Sequence, residues 1–295
     1  MKNSDKILGI IGGSGLYDIE GLKNKKWVKV DSVFGAPSDE ILFANLDGLE
    51  IRFLPRHGRG HILTPSEINY KANIEALKSI GVTEIISISA VGSLREDFVP
   101  GDFVLVDQFV DRTHSRASTF FQNGLVAHVS MAHPVCSRNG IHILKAAEYA
   151  KIKIHKNGTY IVMEGPQFST IAESEMYRKL GFDVIGMTNM PEAKLSREAE
   201  ICYSSISMVT DFDCWHPNHD NVTVDAIIKV LTENAENAKK LIKCIVPILL
   251  SDDNSSSCAC KKSLDNAIIT SPEMRSNEVM IKLKSILGRL NYNFN

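Results

Sequence analysis

The amino-acid sequence predicts an α/β fold: one domain, residues 1–295, with a central mixed β-sheet flanked by helices. Two observations carry this. Strand-like runs alternate along the chain with runs of helical periodicity, the pattern that builds a parallel or mixed sheet. The residues with chemical potential mostly follow the strand-like runs, where open α/β sheets collect ligands.

Taken in order, "KILGII" (6–11) reads as a buried strand entering the glycine-rich turn "GGSGLYD". "EILFANL" (40–46) and "LEIRFLP" (49–55) are separated by Asp47-Gly48, a strong hairpin signal. "TPSEINYKANIEALKSIG" reads as a helix with Pro65 in its first turn and Gly81 just past its end. "EIISISA" (84–90) and "DFVLVDQFV" (102–110) are strands, and residues 136–151 a helix. "GTYIVM" is a strand, followed by the helix "STIAESEMYRKLG" with Ser169 or Thr170 as its N-cap. "FDVIGM" is a short strand, "MPEAKLSREAE" a helix and "CYSSISMVT" (202–210) a strand. Residues 223–250 keep a period near 3.6 and read as one long helix. "SDDNSSSCACKKS" is a loop leading to a C-terminal helical segment, placed from about residue 258 with its helix near 272–288.

Composition excludes several function classes. Lys and Arg number 33 against 35 Asp and Glu, so no basic surplus points to nucleic acid. No window approaches the ~18–20 apolar residues of a spanning helix, and the start lacks the apolar run of a signal peptide. A soluble cytoplasmic chain without a membrane partner is expected. Of the six cysteines, Cys136, Cys202, Cys214 and Cys244 read as small buried residues. Cys258 and Cys260 form C-A-C, which lacks the second pair of a zinc ribbon and would be strained as a disulfide. No metal site is expected.

Six loops at strand ends carry candidate chemistry. "GGSG" offers backbone N–H groups and the Ser14 hydroxyl to an anion, against the plain alternative of a tight turn; it does not match G-x-G-x-x-G. "LPRHGRGH" clusters Arg56, His57, Arg59 and His61, where a solvated basic loop is the ordinary alternative. "SISAVGSL" presents Ser87, Ser89, Ser93 and the backbone from Ala90; "GMTNMPE" presents Met187 and Thr188. Phe168, in "EGPQFST", is placed to stack on a flat ring or to enter the core. None of these ends carries a phosphate-binding Lys, which suits inorganic phosphate better than a nucleotide's phosphate chain. "TDFDCWH" (210–216) closes the last strand with two carboxylates, Asp211 and Asp213. One Cys and one His beyond a Trp make a poor metal site. Carboxylates facing a nitrogen heterocycle fit better.

The stretches "GIIGGSGL", "RHGRGH", "NYKANIEALK", "GSLRED", "PGDFVLVDQFVDRT", "EGPQFSTIAES", "MTNMPEAKLSREA" and "TDFDCWH" together resemble the purine nucleoside phosphorylase family, in family order over roughly residues 7–246. Within it they are most similar to the branch acting on 5′-methylthioadenosine. The resemblance implies the nucleoside phosphorylase fold, a homotrimer, and cleavage of that nucleoside by phosphate to adenine and 5-methylthioribose 1-phosphate. It implies inorganic phosphate as co-substrate and no other cofactor. Carried over by position, Ser14, Arg56, His57, Ser89, the Ala90 backbone and Thr188 would hold phosphate. Met187 would lie against the ribose, Phe168 and Phe212 at the base, and Asp211 and Asp213 on the purine edge. Ser169 and Val224 would tune specificity, and His128 would reach a neighbouring subunit's alkylthio pocket. Gly186 departs from relatives with Asn before this Met.

Residue chemistry agrees with that assignment. Adenine presents an acceptor at N7 and a donor at its 6-amino group. A carboxylate accepts from the amino group and, when protonated, donates to N7. A 6-oxo purine would set an acceptor against it, where an amide fits better. The rival expectations are a purine nucleoside or methylthioinosine phosphorylase, a hydrolytic nucleosidase, and a nonenzymatic nucleotide-binding module.

Overall fold

The computed structural model describes residues 6–13, 15–217, 224–290 and 292, with backbone alone at 224–227 and 229. Ser14 therefore lies outside the described residues, as does the Val224 side chain.

Nine strands form one sheet: β1 (Ile7–Gly12), β2 (Lys23–Val28), β3 (Ile41–Leu46), β4 (Leu49–Pro55), β5 (Glu84–Ser93), β6 (Phe103–Asp111), β7 (Ile154–Val162), β8 (Val184–Gly186) and β9 (Cys202–Asp211). Their order is β2-β3-β4-β1-β5-β8-β7-β6-β9, and β9 pairs back onto β5. That last pairing closes β5, β8, β7, β6 and β9 into a five-stranded ring, with β1 to β4 extending from β5. Parallel pairs (β1·β4, β1·β5, β5·β9, β6·β7, β7·β8) mix with antiparallel ones (β2·β3, β3·β4, β5·β8, β6·β9). The mixed sheet expected from sequence is present.

The β3–β4 hairpin turns on Asp47 (φ 51°) and Gly48 (φ 97°). Two left-handed residues match the twist of the flanking strands. The β5 and β9 strands are apolar or small on both faces and buried along nearly their whole length, as strands covered on both sides must be. Five helices follow the expected order: α1 (Tyr70–Ser79), α2 (Ser137–Ala150), α3 (Ile171–Lys179), α4 (Asn189–Glu198) and α5 (Val224–Ser251). The C-terminal segment adds two short ones, α6 (Asn277–Lys282) and α7 (Lys284–Leu287), among 3₁₀ turns. One apolar cluster joins α1 and the C-terminal segment to β5, β7 and β9; another joins α2 and α5 to β1, β3 and β4.

Two expectations shift. The first helix begins at Tyr70, not near Pro65. Glu67 accepts from the Thr64 N–H and hydroxyl, closing a local turn, while Asn69 is the residue that caps α1 by accepting from the Ala72 N–H. The edge strand β2 (KNKKWV) was not expected; it is largely exposed and held by backbone pairing to β3. Among the described residues no helix is long and apolar enough to cross a membrane.

Candidate active site

The C-terminal ends of β1, β4, β5, β8 and β9 converge on one region. The Arg56 N–H donates to the Gly12 carbonyl (3.0 Å), tying the ends of β4 and β1 together. Arg56 itself is buried. Its Nε donates to Glu192 Oε2 (2.9 Å), its Nη2 to Glu192 Oε1 (3.2 Å) and to Ser87 Oγ (2.6 Å), and its Nη1 to the Ile88 carbonyl (3.0 Å). Glu192 on α4 also accepts from the Ser87 and Tyr203 hydroxyls (2.6 and 2.9 Å). Most of the guanidinium's donors are thus committed within the protein. The residue forms a cationic floor beneath the loops, held in one orientation by a carboxylate that sequence reasoning did not single out.

Above this floor, Ser89 Oγ donates to Asn189 Oδ1 (3.2 Å), and Asn189 Nδ2 donates to the Tyr203 hydroxyl (3.0 Å). Thr188 is buried beside Asn189 at the start of α4, and Ala90 follows Ser89 on β5. His57 donates from Nδ1 to the Leu63 carbonyl (2.9 Å) and stacks on His61 at 4.1 Å. That hydrogen bond assigns the proton to Nδ1 and leaves Nε2 as an acceptor. Burial pushes the His57 pKa down to about 4; the Leu63 carbonyl opposes this, and the charge of Arg56 adds to it. In phosphate-free buffer His57 is therefore expected to stay neutral down to about pH 4, and a bound phosphate dianion to raise its midpoint by about one unit or more. Histidine NMR titration with and without phosphate checks this; a midpoint near 6.5 without phosphate would contradict it.

The other member of the basic loop, Arg59, points away from this chemistry. It pairs with Asp39 and Glu40 at 2.8 Å each and covers the Trp27 ring at 4.3 Å.

At the far side, β9 stops at Asp211 and the chain turns at once. Asp213 adopts a left-handed conformation (φ 51°), and its N–H donates back to Asp211 Oδ1 (2.8 Å). The two aspartates therefore straddle a turn. Thr210 Oγ1 donates to Asp211 Oδ2 (2.7 Å). Burial pushes the Asp211 carboxyl up to about 6; the donors from Thr210 and Asp213 hold it back, and the Asp213 charge adds to the rise. Asp213 is also raised, again chiefly by burial. Both carboxyls are thus poised to hold a proton closer to neutral pH than a free aspartate.

Gly92 makes room for this pair. A Cβ added there would stand 2.9 Å from Asp211 Oδ1 and 3.1 Å from Ile185 Cγ2. Gly92→Ala is expected to fold, displace the Asp211 carboxylate and lower kcat about ten- to a hundredfold. Unchanged kcat would show that the carboxylate position is not critical.

Phe212 is buried and packs edge-on against Trp215 (5.7 Å) and at 4.7 Å from His216. Trp215 Nε1 donates to the Ser93 carbonyl (2.7 Å), and the Arg178 guanidinium lies 3.4 Å from the Trp215 ring centre. These contacts hold the turn after β9 in place. The Ser169 carbonyl accepts from Cys214 Sγ (3.4 Å), which brings the loop bearing Phe168 onto that turn. Phe168 is 47% exposed, so its ring is available to a ligand rather than packed into the core.

Met187 is fixed through its backbone. Arg116 Nη1 donates to the Met187 and Met190 carbonyls (2.5 and 2.7 Å), and its Nη2 to the Glu164 carbonyl (2.7 Å). Tyr160, fully buried, explains Gly186: a Cβ there would sit 2.0 Å from the Tyr160 hydroxyl oxygen. The tyrosine hydroxyl takes the volume a side chain at 186 would occupy. His128 stands apart from these residues. It is exposed, and its N–H donates to the Ala267 carbonyl (2.9 Å).

So the structure gathers Arg56, His57, Ser89, Ala90, Met187, Thr188, Asp211 and Asp213 around neighbouring strand ends, with Phe168 and Ser169 on an adjoining loop. Residues 7–247 match the family model described as "Phosphorylase superfamily". This chain belongs to the phosphorylase superfamily. The S-methyl-5′-thioadenosine phosphorylase of Rhodospirillum rubrum is 56% identical over 96% of this chain and 97% of its own length. That of Bradyrhizobium diazoefficiens is 55% identical, over 96% and 98%. A methylthioadenosine phosphorylase from an antarctic soil metagenomic library superposes with a TM-score of 0.91 at 48% identity, covering 96% of this chain and 99% of that one. The superfamily member from Schistosoma mansoni, a methylthioadenosine phosphorylase solved with adenine, gives a TM-score of 0.84 at 35% identity over 88% and 97%.

Proposed function

We propose that this chain cleaves 5′-methylthioadenosine with inorganic phosphate, giving adenine and 5-methylthioribose 1-phosphate. The observation that carries the reading is the turn after β9, where Asp213 donates its N–H to Asp211 Oδ1 (2.8 Å) and sets two carboxyls at one strand end beside the end of β5; burial, which raises the Asp211 pKa, agrees with it. The near-full-length likeness to relatives named for this activity supports it.

In this reading phosphate sits among the Ser89 and Thr188 hydroxyls, the Ala90 backbone and His57, above the Arg56–Glu192 floor; Ser14, outside the described residues, is proposed from the sequence as a further phosphate ligand. Met187 borders the ribose and Phe168 covers the base, with Phe212 backing the turn beneath it. As the C1′–N9 bond breaks, positive charge grows on the ribose, as in other glycosyl transfers. The phosphate dianion stabilises that charge and attacks C1′. Asp211 delivers its proton to N7, so adenine leaves neutral. Asp213 orients the 6-amino edge. Phosphate is the co-substrate, and no step calls for a metal or organic cofactor.

Ser169 and Val224 adjust the fit to the nucleoside, and His128 reaches the alkylthio pocket of a neighbouring subunit in a homotrimer in the cytoplasm. Sizing the native protein tests this arrangement: a trimer is expected, and a stable, fully active monomer would remove His128 from the site.

The decisive comparison is 5′-methylthioadenosine against inosine, each with phosphate. The methylthio nucleoside is expected to be the better substrate by kcat/KM. Faster cleavage of inosine would favour a 6-oxopurine phosphorylase instead.

A further inference from the structure

Four cysteine sulfurs meet in the fold although only Cys258 and Cys260 are close in sequence. The sulfurs of Cys136, Cys202, Cys258 and Cys260 all lie within 4.8 Å of one another. Cys136 and Cys258 sulfurs are 3.6 Å apart, and no disulfide is formed. Cys136, Cys202 and Cys260 are buried and Cys258 half-buried. The expectation that Cys258 and Cys260 lack companions is thus corrected: Cys136 and Cys202 are the second pair.

We propose that these four residues form a structural zinc-type site, a mononuclear divalent metal bound by four thiolates. A tetrahedral metal with metal–sulfur bonds of ~2.3 Å sets its sulfurs about 3.8 Å apart, so the cluster needs only small adjustments to close on one ion. A two-iron cluster would hold its cysteine pairs further apart. Four thiols lose four protons as the ion binds, leaving a net charge of −2 on the centre. Arg197 stands near Cys260, and Arg138, which also pairs with Glu84 and Asp252, lies against Cys202, so two guanidinium groups border the centre. The Cys260 N–H faces the Cys258 sulfur, a donor suited to a thiolate.

The donors come from three separate parts of the fold. Cys136 caps α2, and its N–H donates to the Tyr203 carbonyl (2.7 Å). Cys202 opens β9, and its N–H donates to the Thr83 carbonyl (3.1 Å). Cys258 and Cys260 lie in the 3₁₀ turns after α5. The ion would fasten the C-terminal segment to the sheet. With four protein ligands it leaves no open position for a substrate, and Cys202 sits at the opposite end of β9 from Asp211, about 30 Å away along the strand. Its role is to hold structure, not to catalyse.

The test is metal analysis of wild-type protein purified under reducing conditions without chelator, followed by cobalt substitution. About one zinc per chain is expected, released in step with a thiol-blocking mercurial, and cobalt should give the intense visible bands of a tetrahedral tetrathiolate. The Cys258→Ser/Cys260→Ser double variant should lose bound metal more than about tenfold and melt several degrees lower. Its phosphorolysis at 25 °C should stay within about twofold of wild type. Wild type that takes up neither zinc nor cobalt with four alkylatable thiols, or that carries disulfides among these four cysteines, would overturn the proposal. The wild-type measurements decide even if the variant does not fold.

Discussion

Asp211→Asn is expected to lower kcat/KM for 5′-methylthioadenosine by about 10²–10⁴-fold, the range for loss of a positioned general acid. The amide keeps the size of the side chain and cannot supply the proton. The same change should stabilise the fold. Because the native carboxyl titrates near 6, above an unfolded aspartate near 3.8, the native state holds its proton more tightly. Ionised Asp211 therefore destabilises the protein above about pH 6, and protonation relieves this as pH falls through 6. At pH 8 the variant should gain on the order of 1–3 kcal/mol, read as a rise in melting temperature. For wild type, kcat/KM should decline as pH rises above about 6 once phosphate ionisation is accounted for, and the variant should lose that decline. A variant with near-normal activity would take the proton-donor role from Asp211.

Glu192→Ala is expected to cost about 3–5 kcal/mol of stability, because it leaves the Arg56 guanidinium buried without its carboxylate. Both partners are only 2% exposed, so water cannot take over the lost contact. Glu192 also accepts the Ser87 and Tyr203 hydroxyls, so two further donors lose their acceptor or shift. Melting should drop by on the order of 10 °C. The KM for phosphate should rise at least about tenfold, since the cationic floor would no longer be held in place. A loss under about 1 kcal/mol with unchanged KM would mean that Arg56 is positioned by other contacts.

The parts of the fold that rest on local chemistry were legible in the sequence. Asp47-Gly48 named the β3–β4 hairpin because both positions need left-handed backbone. Thr170 and Glu173 form the capping box that starts α3, where a Thr cap was one of the two expected. Thr64 and Glu67 form a similar pair without a helix behind it, and this displaced the expected start of α1. β2 was missed because an exposed edge strand carries no buried alternation. Closure of five strands into a ring was also out of reach, since β5 pairs with β9 across more than a hundred residues.

The site divides in the same way. Residues that stand next to strand ends, such as Ser89, Thr188 and Asp211, could be picked out from position and type. Their supports could not. Glu192 lies 136 residues from Arg56 and reads as an ordinary acidic residue in a helix's first turn. Tyr160 and Arg116 matter through what they hold, Gly186 and the Met187 carbonyl, and neither has a signature of its own. The four-cysteine cluster was misread for the same reason: Cys136 and Cys202 reach Cys258 and Cys260 only in three dimensions.

The most direct test of the central claim is adenine release from 5′-methylthioadenosine by the purified chain, measured with and without phosphate and with the sugar product identified. Adenine and 5-methylthioribose 1-phosphate should form together, in equal amounts, and only when phosphate is present. Equal release of adenine in phosphate-free buffer, with free methylthioribose as the product, would contradict phosphorolysis and identify a hydrolase.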